Sequence, residues 1–532
     1  MSGARDLSLG VDVGGTNTDA VVLDGDGTVL AWTKQPTTDD VTGGIRAAIA
    51  HVLTEIGPER ERISRVMMGT THATNAIVAR RGLGRVAVIR LGAPASTEFP
   101  PLIGWPRDLR EKVLAGAGVL GGGHMVDGTP IAPLDRDGVL RFLDGLGGAF
   151  ETIAVSSIFS PSFTDQEREV AALIAAHVGG DVPVFLSQDI GAIGLLEREN
   201  ATTLNAALHG VARDVTRALQ RVVDEERLDA VTFFAQNDGT LMGLDYAERY
   251  PVLTIGSGPA NSIRGAAFLS GVDAAIVVDV GGTTSDLGVL VGGFPRESTL
   301  PREIGGVQTN FRMPDILSLG LGGGSIVDPA HGTFGPESVG HRIDGEALIF
   351  GGATPTLTDA AVLSGAAIGG RLMPKLSATT RSGLLAALQD AHGRLESAVE
   401  RLSLGRLDLP LVVVGGGGFL VPDGLPGASQ VIRPDHGGVA NAVGAAISLA
   451  GGRADKLCDL ADREAGIAEA SRAAIDKAIQ AGADPLQLEI IDVLETSMSY
   501  TTRPTLKVSV KAAGPLARMG ESVGTAVHPN NP

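Results

Sequence analysis

Cysteine is almost absent: Cys458 is the only one in 532 residues, which excludes an internal disulfide and any Cys-rich zinc or iron–sulfur site. Basic residues are in deficit, with 43 Lys and Arg against 61 Asp and Glu and a formal net charge of −18. Such a chain is a poor partner for nucleic acid or an anionic membrane, both of which need a cationic surplus. Long hydrophobic runs are missing too, since no uninterrupted apolar stretch approaches the ~20 residues of a membrane span. The first eight residues carry neither an apolar core nor a cleavage pattern, so a soluble, cytoplasmic protein is expected. The dipeptide Gly-Lys occurs nowhere, which removes the P-loop motif G-x-x-x-x-G-K-[ST].

Glycine, by contrast, is abundant: 74 residues, about twice ordinary usage. Many sit in short runs at the ends of apolar stretches, where the backbone can approach a ligand closely. With 43% apolar residues the chain can build large cores. At ~100–200 residues per domain, about three units are expected. We place them at 1–186 (first lobe), 187–452 (second lobe with an interlobe helix) and 453–532 (a small α+β appendage).

An internal repeat dominates the pattern. Residues 8–23 read SLGVDVGGTNTDAVVL and residues 275–290 read AIVVDVGGTTSDLGVL. Each is an apolar strand, the turn Asp-Val-Gly-Gly-Thr-x-x-Asp, and a second apolar strand, which predicts a hairpin. Two copies imply two related lobes facing each other. Between and after them, strands expected at 28–32, 66–68, 85–91, 152–158, 183–186, 231–234, 241–244 and 410–414 alternate with helices expected at 164–177, 200–224 and 438–450, an α/β pattern. Thr164 and Glu167 have capping-box spacing. A charged helix is expected over 455–482, strands over 486–494 and 505–510, and fraying over the last dozen residues.

The turns suggest chemistry. Gly14 and Gly15 turn without side chains, and Thr16 and Asn17 follow. Consecutive N–H groups and hydroxyls in such a turn can surround a phosphate. Asp12 repels a bare phosphate but suits Mg²⁺, which is held by one or two carboxylates, waters and substrate phosphates. The second copy supplies Asp279, Gly281, Gly282, Thr283, Thr284 and Asp286. A dinucleotide fingerprint is excluded because a strand, not a helix, follows each turn. One turn alone could be a tight hairpin with a capping Asp; two near-identical copies point to a triphosphate clamped from both sides.

Paired D-x-G-G-T-x-x-D hairpins with a later strand ending in Gly415, Gly416 and Gly417 resemble the actin, heat-shock chaperone and sugar-kinase ATPase fold. Three further segments, GTTHATNA at 69–76, GSGPA at 256–260 with GAA at 265–267, and LGLGGGSI at 319–326, resemble the hydantoinase A / 5-oxoprolinase family, as does the stretch from EREN at 197–200 to Asn205-Ala206. The resemblance runs from about residue 7 to 450, and the ~80 residues beyond suggest a short form of the A subunit.

The resemblance implies two actin-like (ribonuclease H-like) lobes around a nucleotide cleft, with ATP and Mg²⁺ as cofactors. It also implies phosphorylation and hydrolytic opening of a cyclic amide such as a hydantoin, 5-oxoproline or a lactam, beside a hydantoinase B-type or other partner subunit; related subunits activate ketones for carboxylation. Asp12 and Asp279 would hold the metal or its waters; Gly14, Gly15, Thr16, Asn17, Gly281, Gly282, Thr283 and Thr284 would bind phosphates, and Gly415, Gly416 and Gly417 adenosine. Asp19, Asp286 or His72 would position the acceptor. Gly322, Gly323 and Gly324 form a further N–H-rich turn, open between ligand contact and tight packing, and Ser257 is read as a phosphate- or substrate-contacting residue rather than a nucleophile. His436 and the pair Asp39, Asp40 are read as helix-opening residues. A small-molecule kinase and a non-catalytic ATP-binding module are the competing readings, and a homo-oligomer stays open.

Overall fold

The computed structural model describes residues 7–517 except 16, 37–40, 192, 299–301, 312, 370, 372, 407, 499–500 and 502. The expected frayed terminus and Asp39, Asp40 and Thr16 lie outside these residues.

The duplicated sequence forms duplicated topology. Strand Leu7–Val13 pairs antiparallel with Asn17–Leu23, which pairs antiparallel with Val29–Pro36; on its other side it runs parallel to Ile63–Thr70, which runs parallel to Val231–Ala235. The second sheet repeats this order with Phe294–Pro295, Ser285–Val291, Ala274–Val280, Leu411–Val414 and Val431–Ile432. In both hairpins the motif carboxylates face each other in register, Asp12 opposite Asp19 and Asp279 opposite Asp286. The strands are near-continuous apolar runs because both faces are covered. In the first sheet, Leu9, Val11 and Val22 pack with Ile45 and Ile49 of helix Val41–Ile56 and Leu219 of the long helix Leu195–Glu225. On the opposite face Val21, Leu23 and Met67 pack with Val443 and Ala446 of helix Ala440–Ala446.

Strand pairing crosses the expected boundaries at 186/187 and 452/453. Val231–Ala235 and Leu241–Gly243, then Ala450–Asp459, Thr505–Gly514 and Glu489–Met498, all extend the first sheet to nine strands. The expected helix over 455–482 therefore loses its first five residues to strand. Ala450–Asp459 pairs along its whole length with Thr505–Gly514, and only Arg463–Gln480 is helical. Long-range pairing outweighs the helix-forming composition there. The expected helix at 438–450 shrinks to a 3₁₀ turn plus Ala440–Ala446, because the chain leaves it to enter that strand.

A smaller sheet of four parallel strands, Leu114–Gly121, Val86–Ala93, Thr152–Ser157 and Val184–Leu186, stands beside the first. Helix Asp165–Val178 begins where expected, yet its capping box does not form. Glu167 is instead buried and accepts from Ser187 Oγ at 2.6 Å and Gln188 N at 3.0 Å. The long helix starts at Leu195, five residues early; its Glu199 is buried on Arg90, with Oε1 2.6 Å from Nη2 and Oε2 2.7 Å from Nε. Among the described residues no helix is long and apolar enough to cross a membrane.

Helices Ser257–Ser270 and Ala440–Ala446 pack together between the sheets without room for side chains. A Cβ on Gly265 would lie 1.8 Å from Ala440 O, and one on Gly444 would lie 1.9 Å from Asn261 O. Gly265→Val and Gly444→Val are expected to destabilise by about 2–4 kcal/mol or to prevent folding. Gly393→Ala, at an exposed helical position with nothing within 4 Å, is expected to be neutral or stabilising by about 0.5–1 kcal/mol. Calorimetric melting of the three variants tests the contrast.

Candidate functional site

The two hairpin turns meet at one cavity of about 750 Å³. Gly14, Gly15 and Asn17 line it from the first sheet, and Gly281, Gly282, Thr283 and Thr284 from the second. Gly415, Gly416 and Gly417 close one side, and Phe350, Phe419, Ile343 and Ile368 add an apolar wall. The turns are built alike: Gly14 N donates to Asn17 O at 3.0 Å, and Gly281 N donates to Thr284 O at 2.9 Å.

Of the four motif carboxylates, Asp19 and Asp279 line the cavity, as does Asp344. Asp12 lies beneath its floor, 3% exposed. Its Oδ2 accepts from Asn441 Nδ2 at 2.8 Å, while its Oδ1 is buried without a hydrogen-bond partner among the described residues. Burial, reinforced by Asp19 and Asp279, pushes its pKa up to about 7. Asp19 lines the cavity and accepts from Lys34 Nζ at 2.6 and 2.7 Å. Burial still raises its pKa, against the pull of Lys34. Asp279 lines the cavity from the other sheet, accepts from Ser262 Oγ at 2.5 Å, and is likewise raised by burial. Asp286 is half-buried on Ser318 Oγ at 2.5 Å and is pushed up to about 6, by burial first and by Asp279 second.

Two glycines let the backbone pass these groups. A Cβ on Gly69 would lie 2.2 Å from Asp12 Oδ1 and 2.5 Å from Asn261 Nδ2; one on Gly415 would lie 2.2 Å from Asp279 Oδ1. Asn261 is fully buried, and neither of its amide atoms has a partner among the described residues. Unpaired buried polar atoms beside a carboxylate mark a place that water or an ion completes.

The expected residues do not all converge. Gly322 and Gly324 pack behind the second turn rather than lining the cavity. Gly323 N and Gly324 N donate to Gly281 O and Gly282 O at 3.0 and 2.7 Å, and of the three only Gly323 faces the cavity. The late glycine turn also uses part of its N–H set for support, Gly415 N on Gly437 O at 2.9 Å and Gly417 N on Val280 O at 2.7 Å. His72 opens helix His72–Ala79, hydrogen-bonds Thr70 Oγ1 at 2.5 Å through Nδ1, and lines a separate cavity of about 20 Å³. Burial lowers its pKa. Asp286 does not line the main cavity. Ser257 is fully buried and donates to Thr70 O at 3.3 Å, so the contacting role expected for it is replaced by a backbone-holding one. His436 precedes the 3₁₀ turn at 437–439, with its ring edge-on to Trp32 at 6.3 Å.

Sequence reasoning missed Lys34, Asn441, Asn261 and Ser262. Lys34 spans the cleft, its Cε 3.9 Å from where a Gly416 Cβ would stand. A signal existed for Asn441, a lone amide among small apolar residues in GVANAVGAA. Lys34 carried none, since a lysine on an edge strand usually serves solubility.

Comparison with known proteins agrees with this arrangement. The family description "Hydantoinase/oxoprolinase N-terminal region" matches residues 8–178, and "Hydantoinase/oxoprolinase" matches residues 198–394. Caprolactamase subunit alpha of Pseudomonas jessenii is 28% identical over 436 residues, 75% of this chain and 60% of its own length. The acetophenone carboxylase gamma subunit of Aromatoleum aromaticum is 29% identical over 405 residues, 67% of this chain and 53% of its own length. The chain thus spans little more than half the length of these relatives. Among solved structures, ATP-dependent caprolactamase from P. jessenii superposes with a TM-score of 0.77 at 22% identity, covering 96% of this chain and 88% of that one. Nucleotide-free acetone carboxylase gives 0.66 at 19% identity with the same coverage. The last two likenesses concern the fold, which is the two-lobed actin-like ATPase arrangement expected from the repeat. With its two matched regions spanning most of the chain and the duplicated hairpins meeting at one cleft, this protein belongs to the hydantoinase/oxoprolinase family.

Proposed function

We propose that this chain is an ATP- and Mg²⁺-dependent enzyme that phosphorylates the carbonyl oxygen of a cyclic amide and so prepares its ring for hydrolytic opening. The observation carrying this reading is that two turns of one sequence and one register face a single cavity with Asp12 and Asp279 at its base. The relative named as caprolactamase subunit alpha supports it.

The chemistry fits the parts. An amide resists water because nitrogen donates into the carbonyl. Transfer of the γ-phosphoryl group to the carbonyl oxygen releases ADP and leaves an electrophilic carbon. Water then adds there, the C–N bond breaks, the amine takes a proton, and phosphate leaves the carboxyl carbon on further hydrolysis. Such transfer depends on positioning and on countering charge. The two turns aim backbone at the phosphates from opposite sides, Lys34 carries a cation across the cleft, and the apolar wall at Phe350 and Phe419 suits a purine. The residues present fit a divalent cation: Asp12 has a buried oxygen without a partner among the described residues, Asp279 raises its pKa, and the nearby Lys34 is held by Asp19. When bound, Mg²⁺ would counter the negative charge of the phosphates. Asp19, held by Lys34, is the better placed of the expected acceptor-positioning residues; Asp286 and His72 stand off the cavity.

We place the activity in the cytoplasm, where ATP is supplied, with a hydantoinase B-type partner completing ring opening. Ketone activation for carboxylation is the second reading, favoured by the two carboxylase subunits among the relatives. Assaying ADP, free phosphate and opened ring with lactams, hydantoins and 5-oxoproline against acetone and acetophenone, with and without the partner, decides between them. Cyclic-amide-dependent ADP release supports the first reading, and ketone-dependent release overturns it. A phosphorylated alcohol without free phosphate would indicate a kinase, and nucleotide binding with no substrate-stimulated turnover a non-catalytic module.

Lys34→Met is expected to weaken Mg-ATP binding or lower turnover at least tenfold while leaving the melting temperature within a few degrees, read by calorimetry and ADP release. The carboxylates also set a pH dependence. Asp12 and Asp286 have pKa values raised to about 7 and about 6 in the folded chain, so the folded state holds more protons than the unfolded state between about pH 4 and 7. Stability in metal-free buffer is therefore expected to fall as pH rises through that window. Asp12→Asn is expected to flatten the fall and to remove Mg-ATP binding, as measured by melting temperature against pH and by titration calorimetry.

A further inference from the structure

A second cavity, of about 270 Å³, lies where three parts of the chain meet. Its walls come from the segment around helix Asp165–Val178 and the turn Ser187–Asp189, from the bend between strands Val231–Ala235 and Leu241–Gly243, and from strand Ala450–Asp459 with helix Arg463–Gln480. It shares no lining residue with the nucleotide-sized cleft. At just below the ~300–1,000 Å³ of pockets for drug-sized ligands, it suits a smaller molecule.

The lining is charged in both signs and incompletely paired. Gly452 brings the strand hard against the helix, since a Cβ there would lie 2.2 Å from Ala478 N. The adjacent Lys477 is half-buried at the cavity, and its ammonium has no hydrogen-bond or ion-pair partner among the described residues. Burial lowers its pKa, and the carboxylates of Asp189 and Asp455 act in the opposite sense. Asp455 pairs with Lys507 at 2.9 Å, but its Oδ1 is buried without a partner among the described residues. Among the described residues the Asp189 side chain accepts only a long hydrogen bond, 3.4 Å, from the Tyr250 hydroxyl. Asn237 Nδ2, also at the cavity, is buried and has no partner among the described residues.

The wall also carries Arg168, Asp238, Arg453 and Lys456; Asp238 pairs with Lys511 and Lys456 with Glu469, while Arg453, paired with Glu297, keeps Nε and Nη2 without partners among the described residues. A lone anion would meet Asp189 and Asp455, a lone cation would meet Lys477 and Arg453, and a neutral apolar molecule would leave these charges desolvated without compensation. A molecule bearing one charge of each sign avoids all three penalties. We propose that this cavity binds a short amino acid, its carboxylate on Lys477 and its ammonium on Asp189 and Asp455. A short amino acid is also what opening a cyclic amide releases; that link, unlike the site itself, rests on the function proposed above.

Titration calorimetry of the full chain with 4-aminobutyrate, 6-aminohexanoate and L-glutamate, each against its matching carboxylic acid and amine, tests the assignment. At least one amino acid is expected to bind tenfold or more tightly than its single-charge controls. Lys477→Met is expected to lose that binding at least tenfold, and Asp189→Asn to lose the preference over the plain carboxylate, which keeps the test open if one variant fails to fold. Absence of binding by all three amino acids, controls that bind as well, or folded variants that bind like the parent would overturn the proposal. Mg-ATP titrated into the same samples separates the two readings: amino-acid binding without nucleotide binding counts against the proposed function alone, and the reverse against this site alone.

Discussion

Three like charges held close together out of water are the constraint around which the molecule is arranged. Asp19 and Asp279 both oppose the ionisation of Asp12, and Asp279 that of Asp19, and in a low-dielectric setting such a group resists full ionisation. Lys34 is held against Asp19, Asn441 against Asp12 and Ser262 against Asp279. Each partner comes from a different part of the chain: the third strand of the first sheet, the helix after the last glycine turn, and the helix before the second hairpin. A cluster of this kind persists only if the surrounding scaffold holds it, and it marks the place where binding of positive charge would relieve the strain.

The scaffold does so through close backbone contact. Helices Ser257–Ser270 and Ala440–Ala446 pack at glycine and alanine, so the two sheets approach until their hairpin tips share one cavity. Larger residues at Gly265 or Gly444 would hold the helices apart and pull the tips from each other. The same helices deliver Ser262 and Asn441 to the carboxylates, so the contact that sets the spacing also sets the local electrostatics. Gly323 and Gly324 support the second turn in the same way, through backbone hydrogen bonds to Gly281 and Gly282.

The two cavities differ in how charge is presented. In the cleft, backbone turns and apolar surface predominate, with carboxylates at or below the floor. In the smaller cavity, side chains of both signs stand at the wall with partners incomplete. The first arrangement suits a polyanion carried with a cation, and the second a molecule that is its own counterion. Both lie at junctions between bodies of the fold, where ligand sites concentrate.

The repeated Asp-Val-Gly-Gly-Thr turn was legible in the sequence because hairpin formation is local: two apolar runs, a glycine turn and a closing Asp specify it within sixteen residues. From that came the strands, the paired lobes and the lining by Gly14, Gly15, Asn17, Gly281, Gly282, Thr283, Thr284 and Gly415 to Gly417. Tertiary structure alone decided what depends on distant pairing. The strand Ala450–Asp459 exists because a partner 50 residues later hydrogen-bonds to it, and no local pattern encodes that. Lys34, Asn441 and Ser262 reach the carboxylates, and His72 and Asp286 miss the cavity, through helix and strand placement in space. Side-chain direction at a site is a sum over contacts from the whole chain, whereas a turn's geometry is settled by its own few residues.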